Sequence, residues 1–282
     1  MKSKQKEKNC HVCGEKGKLT FEHVPPRKAF NDKKAFFYTG EQLIKSIKAP
    51  IFPWKFDGLR YTPSQRGIGG YTLCGKCNNL TGHWYANAFI DFIHFGYKEI
   101  LDFGYNNLKE NQIHNFTFKD IYPLKIVKQV ITMFCSINSP SLAHTHPDLR
   151  EFVLNREKKG LDPNKYILNI YVGKGEIARN IGLSGVLNTK TGTSRILSEL
   201  ASPPFGFTLD FNPKIAMKNT SCDILFFAND FNYTEKKDIS LRIPVLETNT
   251  KYPGDYRNRK EVLITYLKNK LAKRIKNISS TE

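Results

Sequence analysis

The sequence predicts an α+β protein in which a small, metal-stapled N-terminal module precedes a larger mixed α/β region. Three observations point there. Four of the six cysteines form two C-x-x-C pairs, Cys10/Cys13 and Cys74/Cys77. The hydrophobic pattern after them changes from helical to strand-like periodicity. At 282 residues, 40% hydrophobic and 12% aromatic, the chain has material for a packed core and for one or two domains. The boundary is placed at residue 105, giving regions 1–105 and 106–282.

In the first region, Leu19-Thr20-Phe21 is a short β-type run leading into Glu22-His23. Pro25-Pro26 stops it, because neither residue can donate a backbone hydrogen bond. The stretch 40–72 reads as loop, broken by Pro50, Pro53, Pro63 and three glycines at 67, 69 and 70. It interleaves Lys45, Lys48, Lys55, Arg60 and Arg66 with Phe52, Trp54 and Tyr61. Those rings suit either base stacking or packing of the insert against the helix that follows. Tyr85, Phe89, Phe92, Phe95 and Ile100 recur at helical steps, predicting that helix over 80–103 with Gly104 at its end.

The stretch 106–160 reads as helical in two pieces. Pro123 suits a first turn ahead of Leu124, Val127, Val130, Ile131 and Phe134, and a second helix is expected over 147–158. Strands are expected at 166–172, 182–187, 205–211, 224–228 and 239–246. A Lys-rich helix over 257–276 closes the chain, and Asp255 and Arg257 before it read as a structural pair.

With 44 Lys+Arg against 26 Asp+Glu, the formal charge is +18, which favours polyanionic partners and says nothing about fold. A solvated, Lys-rich surface is the plainer alternative. The basic start MKSKQKEK is followed by cysteines where a signal peptide needs an apolar stretch, and no run of eighteen apolar residues occurs. A cytoplasmic protein with no membrane partner is therefore expected. In that setting the paired cysteines favour metal over disulfides, while Cys135 and Cys222 read as buried, inert thiols.

Two C-x-x-C pairs supply four thiolates, the ligand set of a closed, structural Zn²⁺ site. Here 60 residues separate Cys13 from Cys74, so the metal would hold everything between them at both ends. Glu22-His23 lies in that interval, and Asn78 follows Cys77 directly. Glu22 and the Asn78 carbonyl offer oxygens to a hard ion such as Mg²⁺ or Mn²⁺, and His23 can take a proton from water near neutral pH. Those three functions together suit phosphodiester hydrolysis. Arg66 and Lys76 flank the second pair as candidate phosphate contacts. His83, one turn beyond Asn78, is a candidate third ligand or phosphate contact, or a surface histidine. Asn79 suits a helix cap, and His11 reads as a bystander.

Cys10-His-Val-Cys13, Leu19-Thr-Phe-Glu22-His23-Val-Pro-Pro26 and Leu73-Cys-Gly-Lys-Cys-Asn78-Asn resemble the cysteine-containing branch of the HNH, or His-Me finger, nucleases. The match covers about 10–85. It implies a ββα-metal core with Zn²⁺ as a staple, His23 as general base, and Glu22 and Asn78 as ligands of one catalytic Mg²⁺ or Mn²⁺. It also implies a nucleic-acid substrate, DNA first, and a role in bacterial defence or mobile elements. Two departures stand out: Glu22 occupies a position that is Asp in many members, and the middle Asn that supports the loop is not assigned between 30 and 70. Two alternatives stay open: a non-catalytic, zinc-containing nucleic-acid-binding protein, and an RNA-cleaving enzyme with the same site.

Overall fold

In the computed structural model, residues 7–39, 41–42, 52, 54–56, 58–65, 67–175, 177–188, 192–213 and 222–279 are described; Lys45, Lys48 and Arg66 lie outside them. Strand β1 (Lys8–Asn9) pairs with β2 (Lys16–Gly17), and the first cysteine pair sits in the turn between them. Strand β3 (Leu19–His23) pairs antiparallel with β6 (Gly69–Cys74), from Leu19 opposite Cys74 to His23 opposite Gly69. The register shifts between Thr20 and Phe21, leaving Thr72 as an extra residue on β6. Such a bulge bends a strand and re-aims its side chains. Between these strands, β4 (Ala35–Phe37) and β5 (Thr62–Ser64) form a separate ribbon within the stretch read as loop.

The second cysteine pair begins a helix. Helix α1 (Gly75–Thr81) runs through a π-helical turn, Gly82–Ala86, into α2 (Asn87–Phe103), which ends at Gly104. The expected helix over 80–103 is thus longer at its start and wider in its middle. One residue too many in a turn produces a π-bulge, and nothing in the apolar spacing reveals it. Asn79 lies inside α1 and does not cap it; Cys74 holds that position.

The remainder is a seven-stranded sheet with helices against it. Strand β7 (Ile113–Ile121) precedes helices α3 (Pro123–Ile137), α4 (Ser141–Thr145) and α5 (Pro147–Leu154). Then follow β8 (Tyr166–Lys174), β9 (Arg179–Asn188), β10 (Thr193–Ser202), β11 (Phe205–Phe211), β12 (Cys222–Asp223), α6 (Phe226–Asn229), β13 (Lys237–Glu247) and α7 (Arg259–Ser279). The order across the sheet is β7-β13-β8-β11-β10-β9, with β12 also paired to β8. Only the β13–β8 pairing is parallel among the pairings described.

Three expectations are corrected here. The stretch 106–160 is not helical throughout: β7 buries Phe116, Phe118 and Ile121 against the sheet's neighbours. Strand β10 went unread, because its buried Ser198 and Glu199 disguise an inward-facing stretch as polar. Residues 224–228 are not a strand; after the two-residue β12 the chain turns helical, and so short an apolar run does not discriminate the two.

Helix α3 is buried along almost its whole length; it packs against α2 and against β9 and β10, while α2 packs directly on β7. Helix α2 sends Phe89, Phe92, Ile93, Gly96 and Ile100 inward. The Phe92 ring stacks on Phe118 at 4.3 Å and meets Phe205 at 5.5 Å. Gly96 is the residue this packing requires, since a Cβ there would lie 2.3 Å from the Phe205 ring. One cluster of buried residues runs from Cys10 through α2 and α3 to Val245. The insert aromatics take a different partner from the expected one: Phe52 stacks on Trp54 at 5.1 Å and meets Tyr266 of α7 at 5.3 Å, not α2. Among the described residues, no helix is long and apolar enough to cross a membrane.

Candidate metal and active site

Both cysteine pairs sit where the backbone has just turned, so each presents two sulfurs to the same point. Gly14 N–H donates to the Cys10 carbonyl at 2.9 Å in the first turn. In the second, the Cys77 N–H donates to Cys74 Sγ at 3.5 Å as α1 begins. The Cys74 N–H donates to Cys10 Sγ at 3.3 Å, which joins the two turns. Amide donors aimed at sulfur favour the thiolate.

The four Sγ atoms of Cys10, Cys13, Cys74 and Cys77 all lie within 4.8 Å of one another, and Cys13 and Cys74 are 3.8 Å apart. A tetrahedron with metal–sulfur arms of about 2.3 Å has edges of about 3.8 Å. The cluster therefore has the size and the chemistry to hold a metal ion such as zinc. Its thiols are already polarised: the Cys77 hydrogen bond holds Cys10 down to about 4, while Cys77 itself is driven up by the same contact. Burial pushes Cys13 up to about 11. The isolated thiols are both raised, first by burial. Cys135, fully buried, is pushed to about 12 with Cys10 adding to it. Cys222, only partly buried where full burial was expected, is pushed to about 11 with Asp223 adding to it.

Strand β3 carries the other predicted residues. The rings of Phe21 and His23 meet edge to face at 5.0 Å, which puts both on one face; Thr20 and Glu22 alternate onto the other. Asn78 docks on that second face. Its Nδ2 donates to Thr20 Oγ1 at 3.0 Å and to the Phe21 carbonyl at 3.2 Å, fixing the amide with its oxygen left over. Glu22 is only 8% exposed, and burial pushes its carboxyl up to about 7. No described hydrogen-bond donor or cation meets that carboxylate. A buried acid with no described partner and an amide oxygen on the same face of the strand are both donors of the kind a hard divalent cation takes. His23 is half-buried at the last position of the strand, where the chain turns away.

That turn is built by a residue the sequence left unassigned. Asn31 is buried, and its Nδ2 donates to the carbonyls of Pro25 at 2.6 Å and Ile68 at 2.7 Å. Its Oδ1 accepts from Ile68 N–H at 2.6 Å. One side chain thus ties the loop after His23 to the residue just ahead of β6. Gly67 makes room for it, since a Cβ there would lie 2.1 Å from the Asn31 carbonyl oxygen. The available signal was simple: Asn31 is the lone asparagine between Cys13 and Cys74.

The rest of the chain braces this module. His11 Nδ1 bonds the Ser136 carbonyl at 2.9 Å, so it is a tether between the first turn and α3. Thr72, the bulged residue, bonds Ser136 through its hydroxyl at 2.6 Å, and Asn180 Nδ2 donates to the Val24 carbonyl at 3.0 Å. Lys76 is exposed on α1 and His83 is exposed on the π-helical turn; neither is brought to Glu22, His23 or Asn78 by any described contact. Arg66 lies outside the described residues. No family model, curated protein or solved structure matches the chain.

Proposed function

We propose that the chain is a metal-dependent endonuclease of the HNH type that hydrolyses phosphodiester bonds in DNA, with a structural Zn²⁺ in its cysteine cluster. One observation carries this reading. The second cysteine turn delivers Asn78 to the face of β3 that buries Glu22, which has no partner among the described residues and directly precedes His23. Asn31 then takes the place of the loop-supporting middle Asn of that family.

In this reading, Glu22 and the Asn78 carbonyl hold Mg²⁺ or Mn²⁺, which when bound stabilises negative charge on the phosphoryl and leaving oxygens. His23 accepts a proton from a water molecule as its oxygen bonds to phosphorus. The bond from phosphorus to the departing sugar oxygen breaks, and that oxygen takes a proton from solvent. The His23 ring lies against Phe21 at 5.0 Å, on the face of β3 opposite Glu22 and Asn78, so this step requires the ring to turn toward the Glu22 face. The cysteine cluster keeps α1 against β3 and so keeps Asn78 in place.

Plasmid, linear duplex, single-stranded DNA and RNA, each with Mg²⁺, Mn²⁺ or neither, test the reading. Cleavage by the wild type is expected to need the divalent ion. His23→Ala should slow it by about 10²- to 10⁴-fold with zinc content and fold intact. Salt-sensitive binding without cleavage would make the chain a zinc-containing nucleic-acid-binding protein, and cleavage of RNA alone would reassign the substrate.

A further inference from the structure

We propose that Phe30, His94 and Tyr97 form a stacking platform for an unpaired nucleic-acid base beside the loop that follows Glu22-His23. The proposal rests on the nucleic-acid substrate of the reading above and names which form of it binds.

Phe30 breaks a local rule and gains only partial burial in return. Its φ is +60°, the left-handed region that a bulky side chain rarely adopts, yet its ring is 44% exposed. Burial therefore does not explain why a phenylalanine stands there, and unexplained strain of this kind collects at binding sites. The ring is also held firmly. Its neighbours Ala29 and Asn31 are buried, and Asn31 is fixed by its bonds to Pro25 and Ile68.

Two further rings extend the surface. His94 and Tyr97 are one helical turn apart on the outer side of α2, whose inner side is anchored by Ile93 and Ile100. The His94 Nε2 bonds the Lys28 carbonyl at 2.7 Å, which orients the imidazole. Phe30 lies 4.9 Å from His94, tilted by 30°, and 4.7 Å from Tyr97, which is itself 40% exposed. Single exposed hydrophobes are ordinary; three interlocked rings on a rigid base are not.

Charge selects the occupant. The segments 27–34 and 94–98 that carry the rings also carry five exposed cations, Arg27, Lys28, Lys33, Lys34 and Lys98, against Asp32, with Asp91 and Glu99 just outside. Aromatic faces among cations suit a base with its phosphates. A base in duplex is covered on both faces by its neighbours, so the platform is open only to a single strand or an extruded base.

The full-length protein is titrated, without Mg²⁺ or Mn²⁺, onto a single strand carrying one 2-aminopurine and onto the same strand fully paired. The wild type is expected to quench the fluorophore and prefer the single strand. Phe30→Gly removes the ring and relieves the left-handed backbone, so it should fold. It should weaken single-strand binding about 5- to 100-fold and abolish quenching, with little change on duplex, and Tyr97→Ala should do the same more weakly. Phe30→Trp should retain both properties. Unchanged single-strand binding by Phe30→Gly, or equal losses on both DNAs, overturns the platform. The nuclease reading fails separately: ring-dependent binding with no metal-dependent cleavage would sink that reading and leave the platform standing, and cleavage with ring-independent binding would do the reverse.

Discussion

The β3–β6 hairpin with α1 and the seven-stranded sheet both carry a loop pinned by buried polar groups, but they stand on different foundations. The hairpin adds only small and mid-sized side chains such as Val12, Leu19, Val24 and Leu73 to the shared buried cluster. Four sulfurs within 4.8 Å of one another, able to hold a metal ion such as zinc, join its turns. The sheet rests on stacked rings, with Phe92, Phe116, Phe118 and Phe205 in mutual contact. In the hairpin, Asn31 pins the loop after His23. In the sheet, Arg179 and Glu199 pin the loop after β13: Arg179 Nη1 donates to the Thr250 and Tyr252 carbonyls at 3.0 and 3.1 Å, and its Nη2 pairs with Glu199 at 2.6 Å. A region that a bound metal would join is released when the metal goes; a region held by packing loses stability in increments.

Cys77→Ser should therefore have the largest effect and the most local one. Zinc content by mass spectrometry is expected to fall to none. Hydrogen exchange should accelerate across β3, β6 and α1, while β8 and β11 keep their protection. Structural zinc contributes roughly 10–16 kcal/mol in isolated zinc-finger peptides, so losing it should release the hairpin outright. Equal deprotection of the sheet would show that the two regions fold as one unit, and the contrast drawn here would fail.

On the sheet side, Phe92→Ala should cost roughly 3–5 kcal/mol, read as a lower midpoint in urea with zinc still bound. Glu199→Ala belongs in the same range, about 3–5 kcal/mol, because it leaves a guanidinium that is 3% exposed without its counter-charge. Arg179 is poorly placed to absorb that loss, since its Nε has no described partner already. Glu199 also accepts from the Tyr171 hydroxyl at 2.6 Å, whose pKa lies well above its usual value, first through burial and then through this carboxylate. A midpoint unchanged in Glu199→Ala would mean that the pair is not what anchors the loop.

Asn31→Ala should cost less, roughly 1–3 kcal/mol for the three backbone groups it leaves unsatisfied in a small loop. Its effect on cleavage should exceed its effect on stability, because the loop it releases directly follows His23. A proportionate loss of both would reduce Asn31 to a stability residue.

The same contrast explains what could be read in advance. The four-cysteine cluster was legible because metal chemistry demands particular residue types at particular spacings. The helix cores of α2 and α3 were legible from the recurrence of Phe89, Phe92, Val127 and Phe134. What stayed hidden depends on partners distant in sequence. Glu199 looks like a surface acid until Arg179 is placed beside it, so β10 was missed. Asn31 carries no motif of its own, and its role exists only once Ile68 is brought against Pro25. The π-turn at 82–86 and the pairing of Phe52 with Tyr266 likewise belong to the assembled fold.

Arg257→Ala should have the smallest effect, and it sharpens the comparison within a single loop. Arg257 grips Asp255 with two bonds, Nε to Oδ1 at 2.9 Å and Nη2 to Oδ2 at 2.8 Å, the structural pair that the sequence suggested. On contact geometry alone it rivals Arg179 with Glu199. Solvent decides between them. The Arg257 side chain is 45% exposed, so water replaces most of what the mutation removes, and the expected loss is about 1 kcal/mol or less. Its contribution should fade in 1 M salt, while that of Glu199 persists, because screening reaches only the exposed pair. A loss in Arg257→Ala matching that in Glu199→Ala, or insensitive to salt, would show that bond count rather than burial sets the strength of these clamps.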